Sequence, residues 1–231
     1  MSATYRQSSV VSTAALEADP YNRYYARGPR VRLTAEQVRD QALSIAGVLS
    51  AKMYGPSVMP HQPAGVWKSP WNGDDWKLAE GDDRYRWAIY TFLKRTGPYP
   101  AMITFDGVAR EVCTARRIRT NTPLQALVTL NDEAYIVAAR HFANRIFEKG
   151  MKTPNEQVAL AYQLATGRLP DAAKAAVLTD LYKKSLTDFA KQKQKAEQLC
   201  GEEACESTPE MAALVVVANA VLNLDEVLVK G

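Results

Sequence analysis

The sequence predicts a mainly α-helical fold in which about six helices pack around one core and one long segment is irregular. Three observations favour this fold: apolar residues recur at helical spacing, distinct helix-start motifs precede them, and no clear alternation of polar and apolar residues indicates a strand. Hydrophobic residues make up 47% of the 231 residues and charged residues 23%, as in an ordinary globular protein. We therefore expect one mostly helical domain over residues 1–231.

The first predicted helix begins at Thr34, because Thr34 and Gln37 have the spacing of a capping box. In this motif the threonine side chain accepts a hydrogen bond from the third helical amide, and the glutamine side chain reaches back to the threonine amide. Apolar residues at helical spacing continue as far as Met53, and Gly55 and Pro56 favour a helix end. The sequence therefore predicts one helix from Thr34 to about Met53.

Proline directly follows the N-cap threonine at three later helix starts, Thr122, Thr153 and Thr208. Proline suits the first helical position because its missing N–H would have no partner there. Asn131 and Asp132 can compete for backbone amides inside the helix that starts at Thr122, so a bend or a restart is expected. The full set of predicted helices covers residues 34–53, 84–94, 122–149, 153–167, 171–199 and 207–228.

The segment from about residue 54 to residue 83 is expected to be a long irregular loop. Closely spaced prolines and glycines exclude a long regular element there. Three tryptophans, Trp67, Trp71 and Trp76, predict that the loop is ordered by aromatic packing. They could stack on the sugar rings of a carbohydrate or fill space between the helices, and the sequence leaves both interpretations open.

The three cysteines, Cys113, Cys200 and Cys205, are too few for a disulfide-rich scaffold. Cys200 and Cys205 flank a short polar link, so they could form a disulfide in an oxidising compartment or remain two thiols at helix ends. The only histidines are His61 and His141, and the histidines and cysteines lack the paired spacing of a zinc site. The sequence therefore predicts no metal site.

Four arginines, Arg110, Arg116, Arg117 and Arg119, precede the helix that starts at Thr122 and form the main candidate site. Guanidinium groups bind carboxylates and phosphates through paired hydrogen bonds, and a helix N-terminus adds free N–H groups. The arginines could therefore bind an anion or an acidic partner. They could instead pair internally, and the nearby carboxylates that the sequence offers for this are Asp106, Glu111 and Asp132.

Several motifs of this chain occur together in one known family. The most specific motif runs from Thr104-Phe105-Asp106 through Arg110-Glu111-Val112-Cys113-Thr114 to Arg119-Thr120-Asn121-Thr122-Pro123-Leu124-Gln125. Shorter motifs occupy residues 2–9, 55–58 and 218–226. The chain resembles the planctomycete-specific C-terminal domain of unknown function that is found in planctomycete cytochrome-c-domain proteins. The resemblance covers nearly the whole chain.

The resemblance implies a domain of a large exported protein in the periplasm or cell envelope, with sister domains and a c-type haem domain upstream. It also implies that this chain lacks the start of the domain, and an apolar groove is then expected where the missing helices would dock. Covalent haem attachment needs a Cys-x-x-Cys-His motif, which this sequence does not contain. We therefore expect no cofactor in this chain, with haem c held by an absent upstream domain.

The composition and the motifs lead to two functional hypotheses. The net charge of +4 is too small to predict nucleic-acid binding, and the apolar stretch at 211–224 is too short for a membrane span. The first hypothesis is a non-catalytic interaction or scaffold module whose partners are sister domains or an acidic polysaccharide. The alternative is a domain of a polysaccharide-acting enzyme of the cell envelope whose active site is completed by upstream sequence. The resemblance brings no catalytic residues.

Overall fold

The computed structural model describes residues 2–4, 6–63, 65–66, 75–201 and 207–231. Two short strands, β1 (Val31–Arg32) and β2 (Val229–Lys230), pair antiparallel. Two 3-10 turns cover Gly81–Tyr85 and Ala88–Tyr90. The α-helices of the described residues are α1 (Thr13–Ala18), α2 (Ala35–Ala46), α3 (Pro100–Thr104), α4 (Pro123–Asn131), α5 (Glu133–Phe147), α6 (Pro154–Thr166), α7 (Ala172–Lys191), α8 (Lys193–Cys200), α9 (Pro209–Leu222) and α10 (Asp225–Leu228).

The mainly α fold around one core is confirmed, and helix α9 lies at its centre. Its buried side chains point in all directions around the helix, which agrees with its uniformly apolar sequence. Helices α5 and α7 pack against α9 most extensively, and α4, α6 and α8 also contact it. Helix α2 packs on the other side of α5. Small side chains such as Ala138, Ala139, Ala212 and Ala213 are fully buried, so α5 and α9 can approach closely.

The predicted helix starts at Thr34, Thr122, Thr153 and Thr208 are found in the structure. Thr34 Oγ1 accepts from the Gln37 amide over 3.4 Å, and Gln37 Oε1 accepts from the Thr34 amide over 3.0 Å. Thr153 and Glu156 form the same reciprocal pair at the start of α6. Asp132 accepts from the Ala134 amide over 2.9 Å and starts α5, so the polar pair in this region produces a restart. These local contacts satisfy amides that have no partner within the helix.

The predicted end of α2 at Gly55 is wrong, because the helix ends at Ala46. Gly47 adopts a left-handed conformation with φ of 83°, and its amide bonds to the Leu43 and Ser44 carbonyls. The Val48 and Leu49 amides also bond to the Leu43 carbonyl. A glycine can close a helix in this way without the steric cost that a side chain would add. The sequence contained this signal at Gly47, inside the predicted helix.

The predicted helix at residues 84–94 is also wrong, since the chain forms 3-10 turns and extended backbone there. The backbone of this stretch bonds to distant segments: Ser50 N–H donates to the Tyr85 carbonyl, and Val58 N–H donates to the Tyr90 carbonyl. Phe92 N–H in turn donates to the Val58 carbonyl over 2.8 Å. The amides and carbonyls that a helix would use are therefore committed to the irregular segment beside it.

Two other predicted helices are each divided in two. The stretch 171–199 breaks at Gln192 between α7 and α8, and the stretch 207–228 breaks after Leu222 between α9 and α10. The largely polar α8 is mostly exposed, although Ala196 and Cys200 are buried in the core. Within the part of the chain that the structure describes, no helix is long and apolar enough to cross a membrane.

Candidate functional site

The four candidate arginines lie on one exposed segment without helix or strand, which we call the arginine segment (residues 107–121). It connects α3 to α4, and every residue from Arg110 to Arg119 is exposed. Arg110 adopts a positive φ of 63°, which turns the chain at the start of the cluster. The four arginines therefore share one exposed segment, within which Glu111 is the one acidic residue.

The two ends of the arginine segment are held together by Asp106 and Gln125. Asp106 accepts from the Thr120 amide over 2.7 Å and from Thr120 Oγ1 over 2.9 Å. Gln125 is buried, and its Nε2 donates to the Thr104 carbonyl over 3.0 Å and to Thr120 Oγ1 over 3.1 Å. Arg32 donates to Gln125 Oε1 over 2.8 Å. Because both ends of the loop are fixed in this way, the loop starts and ends at defined positions in the fold.

Arg117 has an internal partner, Glu36 at the start of α2. Its NH1 donates to both carboxylate oxygens of Glu36, over 2.9 Å and 2.8 Å. Burial alone would raise the pKa of Glu36, but hydrogen bonds from Arg117 and from its own amide hold that pKa below its ordinary value. The partner is thus not one of the three carboxylates considered from sequence, and Asp106 bonds to Thr120 instead.

A double-mutant cycle of Glu36→Gln and Arg117→Gln is expected to show a coupling of about 0.5–1 kcal/mol near neutral pH, because both partners are only partly buried. Because the pKa of Glu36 is lowered in the folded state, ionised Glu36 stabilises the fold at pH values above the ordinary glutamate pKa. This stabilisation is lost as the pH falls through the lowered pKa. Urea unfolding near neutral pH, and again below the lowered pKa of Glu36, measures the coupling and its loss.

The matched control is the exposed pair Asp180 and Lys184 on α7, which are separated by 2.6 Å. Its coupling is expected to be at most about 0.5 kcal/mol, as for other exposed pairs one helical turn apart. A coupling of zero between Glu36 and Arg117 near neutral pH would contradict the assignment of Arg117 as an internally paired residue.

The other three arginines, Arg110, Arg116 and Arg119, make no hydrogen bond or ion pair with any residue that the structure describes. A cleft of about 670 Å³ lies beside Arg116, Arg117 and Arg119, with Phe105 and Asp106 on its wall. Among the described residues, no carboxylate pairs with Arg110, Arg116 or Arg119, and all three are exposed. The segment is therefore available to an external anion or an acidic partner.

Aliphatic side chains surround these arginines on the same surface. Val112 and Ile118 are exposed within the arginine segment. On the adjoining helix α4, Leu124 and Leu127 are 58% and 55% exposed, and Leu130 continues the row one turn on. The inner face of α4 is polar instead, since Gln125 and Thr129 are buried and Thr129 Oγ1 bonds to Asn223. The spacing of these leucines resembles a core face, so sequence reasoning did not identify them as part of an exposed surface.

The remaining sequence candidates lie in different places. Trp76 packs against the core, donates from Nε1 to the Pro60 carbonyl over 2.9 Å and stacks on Tyr99 with ring centres 6.1 Å apart. Trp67 and Trp71 lie outside the described residues, so sugar stacking there stays a prediction. Cys200 is buried at the end of α8, whereas Cys205 lies outside the described residues, and their pairing stays a prediction too. Cys113 is exposed in the arginine segment.

The two histidines have structural contacts that the sequence did not reveal. Tyr85 Oη lies 3.3 Å from His141 Nε2, and the two rings meet edge to face. The His61 carbonyl accepts from the Tyr99 hydroxyl over 2.7 Å. Among the described residues, no group of three or more histidine, cysteine or acidic side chains is arranged to hold a metal ion.

The fold and the site define a mainly α-helical domain with an exposed arginine segment. The family model described as PSD1, a protein of unknown function (DUF1553), matches residues 1–182, and the chain belongs to this family. Comparison with curated proteins found no match, and comparison with solved structures found none either.

Proposed function

We propose that this chain is a non-catalytic interaction or scaffold module of a larger exported, cytochrome-associated protein of the periplasm or cell envelope. In this role the arginine segment binds an acidic surface of a sister domain of the same protein. The exported, planctomycete-type context is supported by the sequence resemblance alone. The observation that carries the interaction role is the set of three exposed arginines that have no partner among the residues the structure describes.

The four arginines of the segment are in two different states. Arg117 is held by Glu36, which fixes the middle of the cluster to α2. Arg110, Arg116 and Arg119 keep their charge in solvent, where it is screened by salt and contributes little to stability. Such groups gain free energy when a carboxylate-bearing surface displaces their water and forms paired hydrogen bonds.

The exposed aliphatic residues favour a protein partner over a polysaccharide. Ile118, Leu124 and Leu127 would be buried by a partner that has its own apolar side chains between its carboxylates. An acidic polysaccharide could neutralise the arginines but would leave these side chains in contact with sugar hydroxyl groups. An acidic protein surface with apolar positions therefore matches both features of the site.

The test measures binding of the full chain to a random glutamate–tyrosine copolymer, to polyglutamate and to polygalacturonate by biolayer interferometry. The expected order is copolymer tighter than polyglutamate, and polyglutamate tighter than polygalacturonate. Changing Arg110, Arg116 and Arg119 together to glutamine is expected to weaken binding of the copolymer about tenfold, a loss of about 1.4 kcal/mol. Higher salt should weaken the wild-type complex.

The matched control changes three exposed lysines, Lys183, Lys193 and Lys195, to glutamine and removes the same total charge. It is expected to bind the copolymer within about twofold of the wild type. Equal weakening by both triple variants would show non-specific attraction and overturn the proposed site. Tighter binding of polygalacturonate than of the copolymer would overturn the protein partner in favour of a polysaccharide.

Two partly buried carboxylates, Asp40 and Asp132, bear on the alternative of a polysaccharide-acting enzyme. Burial raises the pKa of Asp40 and of Asp132, a shift that is also found in acid catalysts. Both groups, however, accept backbone hydrogen bonds: Asp40 from Ala88 over 2.7 Å and Asp132 from Ala134 over 2.9 Å. These contacts account for both side chains as structural acceptors, and the interaction role is the function that the site supports best.

A further inference from the structure

A second site lies away from α4, in a cavity of about 380 Å³ between α2, α5 and the C-terminal end of α8. Residues 60–61, 78 and 84–85 close its remaining sides. Leu43, Leu78 and Val137 contribute aliphatic wall, and most of the wall surface is apolar. The volume falls within the range of small-molecule pockets, which join an apolar wall to a few fixed polar groups.

The polar part of this cavity is dominated by guanidinium groups. Arg39, Arg84 and Arg140 line it, whereas Glu133 is the one acidic residue among the described lining residues. Arg140 donates to Glu133 over 2.7 Å and from Nε to the Leu199 carbonyl over 2.6 Å. These bonds fix the orientation of Arg140 between α5 and the end of α8. Among the described lining residues, guanidinium groups therefore outnumber carboxylates, and the Arg140 guanidinium is rigidly placed.

Arg39 is buried, and its ion pair is longer than that of Arg140. It is only 6% exposed, and its two terminal nitrogens donate to the Arg86 and Arg84 carbonyls over 2.7 Å and 2.8 Å. Carbonyl groups satisfy donors but carry no net charge. The Asp40 carboxylate forms an ion pair with Arg39 NH1 at 3.8 Å, which is longer than a direct hydrogen bond.

The Nε–H group of Arg39 is buried and has no partner among the described residues. A buried cation in this state lowers its energy when an anion enters the same low-dielectric space. The charge of Arg39 and the apolar wall thus point to the same kind of ligand, one with a negative group and an apolar body.

We propose that this cavity binds a small organic anion, a carboxylate attached to an aromatic or aliphatic body. The carboxylate lies toward the Arg39 and Arg140 side, and the apolar body lies along Leu43, Leu78 and Val137. The edge-to-face pair of Tyr85 and His141 forms an aromatic part of the wall, which suits a flat ligand. This binding site is separate from the arginine segment, so its test does not depend on the proposed interaction role.

The test compares two ligands of nearly equal shape, naphthalene-2-carboxylate and its neutral analogue naphthalene-2-carboxamide. Ligand-observed saturation-transfer NMR and calorimetric titration on the full chain measure both affinities. The carboxylate is expected to bind at least about tenfold more tightly than the carboxamide. Arg140→Gln is expected to reduce this ratio, because the variant removes the guanidinium charge and leaves a shorter, neutral polar side chain.

A filling variant tests the location of the site. Val137→Phe places a ring in the cavity and is expected to abolish carboxylate binding, whereas Val177→Phe, on the exposed side of α7, should leave it unchanged. Leu78→Phe provides a second filling variant at a partly exposed lining residue, should Val137→Phe lose its helical circular dichroism.

Three results would each overturn the proposal. The first is no binding of the carboxylate at millimolar concentration by the folded wild type. The second is equal affinity for carboxylate and carboxamide, which would show an apolar cavity without anion preference. The third is unchanged carboxylate binding in a folded filling variant, which would place the ligand elsewhere on the protein.

Discussion

The Phe142→Ala variant is expected to lose about 3–5 kcal/mol of unfolding free energy, the range measured when a fully buried aromatic ring is removed. Phe142 has no exposed surface and lies on the buried face of α5, the helix that packs most closely with α9 and α2. Its neighbours on the helix, Ala138, Ala139 and Ala143, are small and fully buried. They cannot move far enough to fill the space, so most of the cavity should remain.

Thermal and urea unfolding measure this loss, and the midpoint temperature should fall by roughly 10 °C for a protein of this size. Phe147→Ala on the same helix is the matched control, because Phe147 is 48% exposed. Its cost should stay below about 1.5 kcal/mol, since half of the ring is already in water. Similar losses for both variants would show that the interface between α5 and α9 is not packed as described.

The Arg86→Ala variant is expected to lose about 2–4 kcal/mol of unfolding free energy. Lost hydrogen bonds, lost packing and a lost cation–π contact contribute to this loss, and removal of a buried charge partly offsets it. Arg86 is almost completely buried. Its guanidinium donates to the Pro56 carbonyl over 3.0 Å and to the Tyr54 carbonyl, and it lies 3.9 Å from the centre of the Tyr90 ring. One side chain thus connects the irregular segment after Tyr54 to the 3-10 turns.

Amide hydrogen exchange gives the sharper readout for Arg86. The Val58 amide, which bonds to the Tyr90 carbonyl, should exchange faster in Arg86→Ala. The exchange rates of amides in α9 should change only as far as the global free energy of unfolding changes. Arg95→Ala is the matched control, because Arg95 is exposed. Its stability should lie within about 0.5 kcal/mol of the wild type. An Arg86→Ala loss as small as this would contradict the role of Arg86 as a tether.

Local chemistry explains which parts of the fold were predictable. Thr34, Thr153 and Asp132 act on amides two or three residues away, so their effect is visible in the sequence itself. The stretch 84–94 was not predictable, because its apolar spacing favours a helix while its backbone bonds to Ser50 and Val58, far away in the chain. Distant contacts override the local helix propensity when they form hydrogen bonds with the same backbone amides and carbonyls that a helix would use.

The candidate site shows the same division between local and distant information. The cluster of arginines is visible in the sequence itself. The partner of Arg117, however, is Glu36, which is 81 residues away. No local pattern distinguishes Arg117 from Arg116, so the paired and unpaired arginines could only be separated in the folded chain. The cavity beside Arg39 and Arg140 is equally non-local, because α2 and α5 bring these residues together across about a hundred positions of sequence.

Helix α9 follows the residues that the family model matches, yet α5 and α7 pack against it more than against any other described helix. During synthesis, α5, α6 and α7 leave the ribosome before α9 exists, with apolar faces that have nothing to cover them. Such a nascent chain is expected to remain loosely collapsed and to attract chaperones until α9 emerges. The part of the chain that the family model matches therefore does not include the helix that covers α5 and α7.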